Sequence, residues 1–140
     1  MNIVLDLKVV MDTNVFVSGV FFSGPAYQIL KAWQSDQFEL VVSQEILNEY
    51  QRVGEILAEE HPRIDLNPIL NFVIEHAKVY QAAKLKEPVC EDPDDDKFIA
   101  CALASGCRVI ISGDKHLLKV SGYQGVDVLK PHVFVDRYLG

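Results

Sequence analysis

Three short stretches of the chain are apolar without interruption: residues 9–11 (VVM), 40–42 (LVV) and 109–111 (VII). A strand with one wet face alternates apolar and polar residues. An unbroken run instead marks a strand covered on both faces, as in the middle of a parallel sheet. With their flanks these runs predict strands over residues 3–11, 38–42 and 109–112, joined by weaker candidates at 78–80 and 126–129. Between them the apolar positions fall at helical spacing. Ala26, Ile29, Leu30 and Trp33 form one stripe, on a helix opened by Ser23-Gly24-Pro25 and running to about Ser35. Ile46, Leu47, Tyr50, Val53 and Leu57 form another, after Ser43 as N-cap. Asn67-Pro68 is read as a cap and first helical proline, opening a third helix through His76. Asp92-Pro93 opens a fourth that ends near Ser105-Gly106. Residues 115–120 and 132–138 read as short helices, and residues 52–66, with Gly54 and Pro62, follow the pattern least well. Strands alternating with helices predict an α/β fold with a mainly parallel sheet, residues 1–140 forming one domain.

In such a sheet, ligands collect just beyond the carboxyl ends of the strands. Acidic residues fall there four times. Asp12 ends the first strand in "KVVMDTNV", Glu49 lies in the helix after Ser43, Asp92, Asp94, Asp95 and Asp96 open the fourth helix, and Asp114 follows "VIISG". At about 100° per residue, Phe98, Ile99, Ala102 and Leu103 define the apolar face of that fourth helix. Asp95 projects near its middle, Asp96 toward its flank, and Asp94 well off it. The same construction puts Glu49 at the border of the buried stripe and Glu45 toward solvent. Each acid has a plainer explanation: Asp12-Thr13-Asn14 as a turn, Asp92, Asp94 and Asp114 as helix caps, Glu49 as a solvated helix residue. All four locations fall on one edge of one sheet, however, and that coincidence favours a shared task. Clustered carboxylates repel unless protonated or bound to cations. Oxygen-only ligands suit Mg²⁺ or Mn²⁺, and two such ions about 3.5–4 Å apart activate water and steady the leaving oxygen of a phosphodiester.

Composition narrows the alternatives. About half the residues are apolar and 24% are charged, as in a globular protein, and no apolar stretch approaches the ~20 residues of a membrane span. "MNIVLDLK" has no basic leader or cleavage site, so no signal peptide is expected. Cys90, Cys101 and Cys107, odd in number and without CxxC spacing, read as reduced buried thiols in a cytoplasm. The four histidines form no zinc-ligand pair. A formal charge of −7 opposes adhesion to nucleic acid, an objection that bound divalent ions would weaken.

Taken together, "VVMDTNVFVSG", "VVSQEILNEY", "DPDDDKFIACALASG" and "VIISGDKHLL", in this order and spacing, resemble a PIN domain, and "VDVLKPHVF" resembles the close of the bacterial subgroup assigned as toxins of toxin–antitoxin pairs. The resemblance spans residues 8–134. It implies a three-layer α/β/α sandwich, a Mg²⁺- or Mn²⁺-dependent ribonuclease acting on single-stranded RNA, frequent homodimerisation and inhibition by a partner antitoxin. Carried over by position, the metal-holding acids are Asp12, Glu49, Asp95 and Asp114, with Asp96 as alternate and Thr13, Asn14 and Ser112 as supporting polar residues. One departure stands out. His116 occupies a position that is often aspartate in the subgroup, which leaves one-metal and two-metal chemistry both open.

Rival readings fare worse. As an EF-hand loop, "DPDDDK" would carry Lys97 at the glycine position and Leu103 at the closing glutamate. An aspartyl phosphotransferase would want an acid where Asn14 sits. A non-catalytic binding module on the same fold is the main alternative, because fold alone does not fix function. For RNA contact, Lys97, Lys115, His116 and Lys119 flank the acids, and Phe21, Phe22 and Tyr27 are available to stack bases. The plainer reading, with the aromatics in the core and the lysines in solvent, is preferred.

Overall fold

The computed structural model describes residues 6–140; the part of the first expected strand on residues 3–5 lies outside the described residues. The chain runs through strand β1 (Lys8–Met11), helices α1 (Thr13–Phe21) and α2 (Pro25–Gln34), β2 (Glu39–Val42), α3 (Gln44–Glu60), α4 (Asn67–His76) and β3 (Lys78–Val79). After residues 80–92 come a 3₁₀ turn (Pro93–Asp95), α5 (Asp96–Ser105), β4 (Val109–Ile111), α6 (Lys115–Lys119), β5 (Asp127–Leu129), α7 (Pro131–Phe134) and a π-helical turn (Val135–Leu139).

The strands form one sheet in the order β3-β2-β1-β4-β5, and every pairing is parallel. Register is set by the apolar runs: Val9, Val10 and Met11 lie beside Val109, Ile110 and Ile111. These three of the four β1 residues are fully buried although neighbours point to opposite faces, so helices cover both sides of the sheet. α5 lies across β1, β2 and β4, while α1 packs on α2 and α3. This is the expected α/β/α sandwich. Strand ends fall a residue or two inside the expected ranges. No described helix is long and apolar enough to cross a membrane.

Two local readings are corrected, and the segment that follows the pattern least well takes a definite form. The turn read at Asp12-Thr13-Asn14 is the start of a nine-residue helix, α1. Its sequence, TNVFVSGVF, buries Thr13, Val15, Phe16, Val17, Gly19 and Phe21, leaving only the short polar strip of Asn14 and Ser18 to mark a helical period. Gly19 lets α2 approach: a Cβ there would stand 2.5 Å from Leu30 Cδ1 and 2.8 Å from the Ala26 carbonyl oxygen. Across the poorly patterned residues 52–66, α3 continues through Gly54 to Glu60. Asn67 does not cap α4 but is its first residue, its N–H donating to Asp65 Oδ1 at 3.0 Å.

Candidate active site

β1 delivers Asp12 to the centre of the sheet. Its backbone N–H donates to the Ile111 carbonyl at 3.0 Å, which ties it to the end of β4. Since β2 lies on one side of β1 and β4 on the other, this is where the strand order reverses, the place where open α/β sheets bind ligands. Asp12 is only 3% exposed. Oδ1 accepts from the Val15 N–H at 2.8 Å and so caps α1; Oδ2 accepts from the Ser112 hydroxyl. Ser112 Oγ in turn accepts the Asp114 N–H at 2.9 Å, and Asp114 Oδ1 accepts the His116 N–H at 2.7 Å, capping α6. The capping role read from sequence for Asp114 is real, and it coexists with a place beside Asp12.

Asp12, Thr13, Asn14, Glu49, Asp95 and Asp114 all line one small cavity of about 110 Å³, with Arg52 and Asp94 at its wall. Glu49 reaches it from α3, where the Thr13 hydroxyl donates to Oε1 and the Lys97 ammonium to Oε2. Asp95, in the 3₁₀ turn, has its Oδ2 buried with no hydrogen-bond partner. Asp96 does not line this cavity. Its carboxylate turns to the preceding loop and accepts the Val89 and Cys90 N–H groups at 3.2 and 2.8 Å. Asp94 lines it instead, although its helical angle had pointed away.

Lys97 was expected at the surface. It is held inward, 11% exposed, between Glu49 and Asp94, the latter at 3.0 Å. Lys119 pairs with Glu91 at 3.3 Å, and His116 Nδ1 lies 3.0 Å from the same glutamate. Phe21 belongs to the core, whereas Phe22 and Tyr27 are about half exposed, so the preferred reading of those rings as core holds for Phe21 alone.

Burial pushes the Asp12 carboxyl up from 3.8 to about 6, against the lowering influence of its Ser112 and Val15 hydrogen bonds; Asp114 and Glu49 add to the rise. Asp95 is likewise raised to about 6, by burial and then by Asp114, Asp92 and Asp94. Burial works against the Lys97 ammonium, but its bonds to Glu49 and Asp94 prevail and hold it above its ordinary value. Burial also lifts Cys90 and Cys101 to about 12 and Cys107 to about 11, so no thiolate nucleophile exists near neutrality.

The raised carboxyls have a consequence for stability. Between 3.8 and about 6 the folded chain holds protons that the unfolded chain has released, so stability falls as pH rises through this window. For Asp12 alone the displacement corresponds to ~3 kcal/mol at most. In EDTA, the melting temperature is expected to drop between pH 5 and 7.5, and added Mn²⁺ to restore it most at the upper end. Thermal melts across that range check this; a metal-free melting temperature that climbs from pH 5 to 7.5 would contradict the assignment of these protons.

Among the described residues, no three His, Cys, Asp or Glu side chains surround one point as a finished metal cage. Like charges stand apart when no cation draws them together. The donor chemistry nevertheless fits a hard divalent ion. The cavity's anionic ligands are all carboxylates, Asp95 presents an unpartnered buried oxygen, and Asp12 receives only neutral donors.

No curated protein sequence matches the chain. In structure it is similar to PAE2754 from Pyrobaculum aerophilum, known from a crystal structure, with a TM-score of 0.57 and 15% sequence identity over 96% of this chain and 90% of that one. At that identity the likeness speaks for the fold alone. The sequence model of the PIN domain, by contrast, matches residues 8–116, from the first residue of β1 past Asp12, Glu49, Asp95 and Asp114; the chain belongs to the PIN domain family.

Proposed function

We propose that this chain is an endoribonuclease that hydrolyses phosphodiester bonds in single-stranded RNA with Mg²⁺ or Mn²⁺. PIN domains are typically metal-dependent nucleases, which supports the reaction class. The observation that carries the reading is the meeting of Asp12, Asp95 and Asp114 at the sheet's switch point, with one buried carboxylate oxygen left unpartnered. Asp12, Asp95 and Asp114 would hold the metal, with Glu49 lining the same cavity. Bound there, a divalent ion supplies a Lewis acid that activates water and stabilises charge on the phosphate.

The protein's own groups set the geometry. Ser112 fixes Asp12 and Asp114 relative to each other, and Thr13 orients Glu49. A larger hollow, of about 500 Å³, shares Asp94 with the acid cavity and carries Lys84, Lys86 and Lys97. We place the flanking nucleotides there, since lysines offset phosphate charge on a chain of net charge −7. A toxin role with a partner antitoxin, homodimerisation and a cytoplasmic location belong to the same reading; three free buried cysteines support a reducing compartment.

The test is incubation of the purified chain with an unstructured RNA in Mg²⁺, Mn²⁺ or EDTA. Internal cleavage in the two metals and none in EDTA is expected. Folded protein that cleaves in none of them would favour the non-catalytic binding module.

A further inference from the structure

The cavity's charges are divided unequally. On one side, Glu49 is already engaged at both oxygens by the chain itself: Thr13 serves Oε1, Lys97 serves Oε2, and Arg52 stands 4.0 Å from the same oxygen. Lys97 also reaches Asp94 at 3.0 Å, so one ammonium bridges carboxylates 45 residues apart in sequence (94 minus 49). Both Lys97 and Glu49 are largely withdrawn from water, 11% and 13% exposed, and the Phe98 ring lies 5.9 Å from the ammonium. On the other side, Asp12 and Asp114 accept from uncharged donors and Asp95 Oδ2 from nothing.

A solvated surface lysine would gain little from such pairing. A withdrawn one is different, because removing it strands a poorly hydrated carboxylate. A divalent ion seeking Glu49 must therefore displace a tethered ammonium, whereas one seeking the three aspartates meets carboxylates that accept only from uncharged donors or from none.

We propose that Lys97 is the built-in cation of this cleft, holding the Glu49–Asp94 side permanently so that the chain takes up one divalent ion, at Asp12, Asp95 and Asp114, and not two. The inference rests on the metal-dependent reading above and resolves the question of ion number. Lys97 is a positioning residue here, acting through Glu49.

The experiment is calorimetric titration of the full chain with Mn²⁺ at pH 7.5, beside thermal melts with and without the ion. Wild type is expected to bind one Mn²⁺ per chain. Lys97→Met is expected to bind two and Lys97→Arg one, because arginine preserves the charge. Lys97→Met should also melt lower than wild type without metal and show about twice the Mn²⁺-induced rise, a readout that survives if the variant is marginal when metal-free. The double variant Lys97→Met with Glu49→Gln, which removes both charges, should return to one ion. Two ions in wild type, or an unchanged single ion in Lys97→Met, overturn the inference and leave the nuclease reading standing. A wild type that binds no Mn²⁺ overturns both.

Discussion

Asp12→Asn is expected to lower metal-dependent RNA cleavage by on the order of 100-fold or more, while the protein melts at or above the wild-type temperature. The activity loss follows from position. Even residues that merely support metal ligands commonly account for 10–100-fold, and Asp12 is the acid that β1, α1 and Ser112 jointly immobilise. The gain in stability follows from burial. An asparagine oxygen still accepts the Val15 N–H and keeps the α1 cap, its amide faces the Ser112 hydroxyl, and the buried negative charge is gone. The variant should also lose the part of the fall in melting temperature between pH 5 and 7.5 that Asp12 contributes, Asp95 keeping its own. Parallel cleavage assays and melts read both effects. Activity close to wild type in a folded Asp12→Asn protein removes Asp12 from the site.

Phe16→Ala is expected to be the most damaging substitution for the fold, at about 3–5 kcal/mol. Phe16 lies one turn into α1 from Asp12, and Tyr50 is the residue after Glu49. Their rings stack with centroids 4.2 Å apart and planes 6° from parallel, both fully buried. The Tyr50 hydroxyl donates to the Met11 carbonyl at the end of β1, so this pair clamps together three elements that carry or precede the acids. Alanine leaves a ring-sized void and frees Tyr50 to shift. Against a typical total stability of about 5–15 kcal/mol, that is a large share. Chemical denaturation should show a reduced midpoint with little change in slope. Cleavage should weaken even where the variant remains folded, because Glu49 moves with its neighbour. A loss below about 1 kcal/mol would show that the surrounding core closes the gap.

The contrast between these residues shows how far the sequence is legible. Glu49 and Asp95 were singled out from helical angles alone, and the structure does aim both at the cavity with Asp12 and Asp114. The same angles failed for Asp94 and Asp96. The reason is that the helix does not begin where its apolar stripe suggests. Residues 93–95 form a tighter 3₁₀ turn, which advances each side chain by about 120° instead of 100°. Asp96 then finds two backbone donors at Val89 and Cys90, on a loop with no periodic signal.

What the residue order determined by itself was the sheet and its acidic edge. Unbroken apolar runs leave a strand no wet face, so they suit a covered parallel sheet, and the acids that closely follow a run, Asp12 after residues 9–11 and Asp114 after 109–111, emerge at its carboxyl end. Tertiary structure decided the rest. α1 is a helix because neighbours bury it on nearly every side, a fact that erases the very periodicity by which a helix is read. Lys97 is drawn inward because Glu49, from a different helix, pairs with it. Local patterns record which face of an element is dry; which charge answers which across the fold depends on contacts between distant residues, and those exist only once the chain has closed on itself.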